Sequence, residues 1–141
     1  GYDVALLDCG PSLGLLVVNA LAAADAVLIP TLAEQMAVYG LALFMETVAK
    51  VRRAMNPGLE VLGIVATMVD RRLLHHRSAL EAIRGAGLPL LDVTIGRSVR
   101  VAEAVTAAST IGDFDADNPR AGEYAALSRE VERWASQRAA R

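Results

Sequence analysis

Residues 4–14 read VALLDCGPSLG: an unbroken apolar run, Val4-Ala5-Leu6-Leu7, ends on a carboxylate, Asp8, and turns at once through glycine and proline. A continuous apolar run, as opposed to an alternating one, is the pattern of a strand covered on both faces in a parallel sheet. Three further runs of this kind follow, at residues 26–29, 61–68 and 90–95, each separated from the last by a segment of helical character. That rhythm predicts an α/β fold, a doubly wound and mostly parallel sheet flanked by helices.

The clearest predicted helix covers residues 37–55, with Val38, Leu41, Met45, Val48, Val51 and Met55 on one stripe and Glu46 and Lys50 paired on the other. The stripe is read as core, and Asn56-Pro57-Gly58 stops the helix. A second helix is predicted over residues 76–84, closed by Gly85 and Gly87. A last one starts after Asn118-Pro119, a cap with proline at the first helical position, and is expected to bury Tyr124, Leu127, Val131 and Trp134. Residues 135–141, ASQRAAR, read as a disordered tail.

At 141 residues the chain fits a single domain. With 54% hydrophobic, 21% charged and 4% aromatic residues, it has the composition of an aliphatic globular protein. No apolar stretch reaches the ~18 residues that span a bilayer, and no basic flank with a signal-type core opens the chain, so a cytoplasmic location is expected. Cys9 is the only cysteine, which excludes an intrachain disulfide. The net charge of −2 conceals a basic block: residues 71–100 hold six arginines against two acids, whereas the flanking regions are both acidic.

In an open parallel sheet, ligands bind outside the carboxyl ends of the strands. The first predicted strand ends on Asp8, the second runs into Pro30-Thr31, and the third ends at Thr67-Met68-Val69-Asp70. An aspartate at such a tip can hold Mg²⁺ directly or through its water, or can simply cap the turn behind it. Gly10-Pro11-Ser12 forms a tight loop that can respond to a phosphate, with Ser12 as a candidate helix cap. Arg71, Arg72, Arg97 and Arg100, widened by Arg77 and Arg84, carry planar forks suited to phosphate oxygens, although a surface arginine is as readily solvated decoration. His75 and His76 are adjacent, face different directions and lack a completing set of ligands, so no metal site is assigned to them.

Taken together, YDVALLDCGPSLGLLVVNALAAADAVLIP (residues 2–30), EQMAVYGL (34–41), MNPGLEVLGIVATMVDRR (55–72) and IGRSVRVAEA (95–104) resemble, in order and spacing, the region from Walker B and switch II onward of the ParA family. These are the deviant Walker A ATPases of plasmid and chromosome partitioning, with a P-loop NTPase-like fold, and the resemblance covers essentially the whole chain. It implies that Asp8 is the Walker B aspartate organising Mg²⁺ and the attacking water, and that Gly10, Pro11 and Ser12 form the switch loop. It further implies that Thr67, Met68, Asp70, Ile95 and Gly96 approach the nucleotide, and that Arg72 and Arg100, with Arg71 and Arg97 beside them, bind DNA without sequence preference. Gly10 and Gly96 stand where the family usually has proline.

The same resemblance implies ATP and Mg²⁺ as cofactors, an ATP-dependent homodimer, nucleoid DNA and a ParB-like centromere-binding protein as partners, and nucleoid association. The family's phosphate-binding loop needs lysines that this chain does not offer, since Lys50 is the only lysine and no Gly-Lys pair occurs. The chain is therefore expected to be the C-terminal portion of a longer ATPase and inactive alone. The alternatives are a MinD-like positioning ATPase working at a membrane or a protein partner, and a non-catalytic truncated remnant. Arg129, Glu130, Glu132 and Arg133 give the last helix a mixed face, not a basic one, so membrane binding is not expected.

Overall fold

The computed structural model describes residues 2–140. Its elements are α1 (Leu15–Ala23), β1 (Ala26–Leu32), α2 (Ala37–Ala54), β2 (Glu60–Val69), α3 (Leu74–Gly85), β3 (Leu90–Gly96), α4 (Val99–Thr106), α5 (Ile111–Phe114) and α6 (Pro119–Ala139). The three strands form one sheet in the order β1-β2-β3, and both pairings are parallel. The α/β architecture with a parallel sheet and flanking helices is thus the one the apolar runs predicted.

Parallel neighbours require crossovers, and α2 and α3 supply them. α2 lays Leu41, Val48 and Val51 of its apolar stripe against the sheet. Val48 and Val51 pack with Val17 and Leu21 of α1 and with Leu59, while Leu41 packs with Ile29, Ile64 and Ile83. Met55, predicted on the same stripe, lies beyond the last helical turn and is exposed. Asn56 does more than end the helix: its side-chain amide donates to the carbonyls of Leu21 at 3.0 Å and Ala24 at 2.7 Å, filling acceptors that the end of α1 leaves open. α6 starts as its sequence predicts, with the Asn118 side chain accepting from the Arg120 amide and Pro119 in the first turn.

Several expectations need correction. Residues 4–7 belong to no strand or helix, and Leu6 is 84% exposed. A strand forms only where a neighbour takes up its amides and carbonyls, and none of the three described strands pairs with this run. Ser12 does not cap α1; Gly14 holds that position, without a side-chain bond. No ion pair joins Glu46 to Lys50 among the described residues, in keeping with the small worth of an exposed i,i+4 pair.

The stretch from Ala135 is a continuation of α6 to Ala139, and Arg141 lies outside the described residues. Trp134 and Arg138 hold this end down, donating to Glu60 at 2.9 Å and to Asp25 at 2.8 Å, respectively. α6 itself buries no residue fully: Leu127, Val131 and Trp134 are half-buried and Tyr124 is exposed.

Ile64, on the central strand, has no solvent-exposed surface. Ile64→Ala is expected to cost about 3 kcal/mol and Ile64→Val about 1 kcal/mol in urea unfolding.

Candidate functional site at the carboxyl edge of the sheet

The register sets the site. Leu32 lies opposite Thr67 and Val69 opposite Gly96, so all three strands end on one edge. Thr67 spends its hydroxyl on the Thr31 carbonyl at 3.0 Å. Met68 adopts a positive φ of 53° and is exposed, and Ile95 is buried in the sheet, leaving only its backbone to meet a ligand. Beyond β2, the Asp70 amide donates to His76 Nδ1 at 2.9 Å, which gives His76 a structural part at the start of α3.

A cavity of about 520 Å³ opens on this edge, lined among others by Asp70, Arg71, Arg72, Arg97, Arg120 and Glu123. Its wall carries four arginines against two carboxylates, a net positive surface suited to anions. Arg71 reaches across to the Thr94 hydroxyl at 3.1 Å, and the Arg97 amide donates to the Val69 carbonyl at 3.3 Å. The sequence placed Arg71, Arg72 and Arg97 here but missed Arg120 and Glu123. Their i,i+3 spacing behind Asn118-Pro119 signals a helical ion pair, observed at 2.9 Å. Their approach to β3 joins residues distant in sequence and leaves no local trace.

Arg72 is paired within its own turn, its Nε and Nη2 donating to the two oxygens of Asp70 at 3.1 and 2.9 Å, while its amide also donates to Oδ1 at 3.0 Å. The Arg72 side chain is 89% exposed, so this bond can be exchanged for another anion at small cost. Arg100, beyond the cavity on α4, is paired twice, to Asp115 at 3.0 Å and Glu103 at 2.7 Å, and its guanidinium lies 4.7 Å from the centre of the Phe114 ring. The hydrogen bond from Arg100, helped by Asn118, holds the Asp115 carboxyl below its ordinary range.

Asp8 and the loop Gly10, Pro11 and Ser12 are exposed, and no hydrogen bond or ion pair joins them to the edge residues among the described residues. No group of three or more His, Cys, Asp or Glu that could hold a metal occurs among the described residues. Mg²⁺ is commonly held by one or two carboxylates with waters and substrate phosphates, and the free carboxylate of Asp8 fits that partial role.

The side-chain hydrogen bond from Arg72, then that from the Arg72 amide, lowers the Asp70 carboxyl from 3.8 to about 2. For a depressed carboxyl the stabilisation is complete above the ordinary value and is lost as pH falls through the lowered one. The Asp70 pair is therefore expected to hold above pH 3.8 and to open towards pH 2. An NMR titration of the Asp70 carboxyl should show its midpoint rise towards the ordinary value in Arg72→Ala.

Residues 1–61 match the family model described as an AAA domain. The chain is 40% identical over 131 residues to the chromosome partitioning protein ParA of Caulobacter vibrioides, covering 92% of this chain and 49% of that protein. It is 41% identical over 132 residues to the chromosome-partitioning ATPase Soj of Thermus thermophilus, covering 93% and 53%, respectively. It is also similar to the crystal structure of cobyrinic acid a,c-diamide synthase from Mycobacterium smegmatis with bound ADP and magnesium, with a TM-score of 0.60 and 38% identity over 64% of this chain and 37% of that one. The chain spans about half the length of the curated relatives it matches. With a parallel α/β sheet and partitioning relatives at about 40% identity aligned along nearly all of it, the chain is similar to the corresponding part of ParA and Soj partitioning proteins.

Proposed function

We propose that this chain is part of a ParA-type partitioning ATPase whose ATP-dependent dimer binds DNA without regard to sequence and answers to a ParB-like partner. The observation that carries this reading is the concentration of arginines at the carboxyl edge of the sheet: Arg71, Arg72 and Arg97 on one cavity, with Arg100 on α4 beyond it. Guanidinium groups fit phosphate oxygens and supply affinity that does not depend on base identity. The Arg72 and Arg100 forks are already aligned by carboxylates, and DNA binding on this reading exchanges those carboxylates for phosphates.

Thr67, Met68, Asp70, Ile95 and Gly96 stand on the same edge and are assigned to the nucleotide, the last two through backbone atoms. Asp8 is assigned to Mg²⁺ and the attacking water, and Gly10, Pro11 and Ser12 to the switch behind it. ATP with Mg²⁺, when bound, supplies the phosphoanhydride whose hydrolysis would end the DNA-bound state. Asp8 contributes a carboxylate oxygen that orients water, and its exposure leaves it free to do so. The chain contains no Gly-Lys pair to neutralise phosphates, so we infer that these 141 residues alone do not hydrolyse ATP.

In the full-length protein, Arg100→Ala is expected to weaken duplex DNA binding about tenfold and to lower the slope of log affinity against log salt by about one. An unchanged affinity and slope would remove Arg100 from the interface. Asp8→Ala is expected to reduce ATP turnover at least ~100-fold while the folded state survives, since its side chain is exposed and makes no hydrogen bond or ion pair among the described residues. Normal turnover in that variant would remove Asp8 from the catalytic role.

A further inference from the structure

We propose that Arg120 and Glu123, in the first two turns of α6, are positioning residues that set the path of the Gly96-Arg97-Ser98 loop and so the placement of Arg97 and Arg100. The inference rests on the DNA-binding reading above. Glu123 faces two ways: Oε2 accepts from the Gly96 amide at 2.8 Å, while Oε1 holds the Arg120 Nη2 at 2.9 Å. The Arg120 guanidinium is thereby laid over Gly96, on the spot where a Cβ would stand. A methyl group there would overlap Nη1 and come within 2.5 Å of Cζ.

The contact belongs to one end of α6, which also governs Arg100. Asn118, the cap of that helix, donates to Asp115 Oδ2 at 3.2 Å, and the same oxygen accepts from Arg100 Nε at 3.0 Å. Two grips therefore run from the start of α6, one from Glu123 to Gly96 at the close of β3 and one from Asn118 through Asp115 to Arg100 on α4. Only Arg97, Ser98 and Val99 separate them, so a shift at Gly96 is passed on to the start of α4. Ser98, the cap of α4, makes no side-chain bond that would fix the helix independently.

Arg120 gains little for itself in this arrangement. Its Nε is buried without an acceptor, an unfavourable state for a polar atom that the contact over Gly96 enforces. Glycine at position 96 and arginine at position 120 are thus one steric unit, and removing the arginine side chain opens the volume that a Cβ at position 96 needs.

The test is a double-mutant cycle in the full-length protein, read by duplex DNA affinity and by amide exchange at residues 96–100. Gly96→Ala is expected to weaken DNA binding about tenfold and to speed exchange, whereas Gly96→Ala with Arg120→Ala returns to within about twofold of Arg120→Ala alone. Glu123→Gln, whose amide oxygen can still accept from Gly96, should retain more affinity and protection than Glu123→Ala. Wild-type affinity and exchange in Gly96→Ala, or losses that simply add in the double variant, would overturn the proposal. Should Gly96→Ala not fold, equal behaviour of Glu123→Gln and Glu123→Ala would overturn it. If Arg100→Ala binds DNA normally, the DNA reading fails, and the exchange cycle alone still decides whether α6 positions the loop.

Discussion

The central place of β2, paired in parallel with β1 on one side and β3 on the other, is the constraint on which the other features depend. Parallel pairing forces each connection to cross the sheet, which makes α2 and α3 obligatory and buries Ile64 between them and their neighbours. It also brings the strand ends to one edge, Thr67 opposite Leu32 and Val69 opposite Gly96. Residues that leave the strands there have satisfied their backbone partners inside the sheet, and their side chains are free for other work. The arginines on this edge are consequently a product of register as much as of composition.

The elements most legible in the sequence were those whose signal is local. Unbroken apolar runs located β1, β2 and β3, the stripe from Val38 to Val51 located α2, and Asn118-Pro119 located the start of α6. The run at residues 4–7 carries the same signal and makes no strand, because apolarity records the need for cover and not the presence of a hydrogen-bonding neighbour. α4 and α5 went unread: they are short, at eight and four residues, and each buries a single side chain, Ala104 and Ile111, so no stripe betrays them.

The site was legible in part. The arginine block was plain in the charge distribution, and the structure sets three of its six members, Arg71, Arg72 and Arg97, on one cavity. What the sequence could not convey was their compensation. Asp70 lies two residues before Arg72 and bonds it within one turn, but Asp115 reaches Arg100 across fifteen positions and Glu123 reaches Gly96 across twenty-seven. Contacts at that separation depend on where α6 lands, and its landing is settled by Trp134 and Arg138 at the far end, on Glu60 and Asp25.

The compensation explains how a chain of net charge −2 can present a surface for anions. An exposed guanidinium held by a half-buried carboxylate is oriented at little energetic depth, because water screens the pair from the arginine side and a phosphate can offer the same two oxygens. Arg72, bonded within its own turn, needs no other element to stay aligned. Arg100 is different, since its alignment passes through Asp115 and Asn118 into α6. The two arginines proposed to meet DNA therefore respond differently to strain: a disturbance of α6 leaves Arg72 in place and moves Arg100.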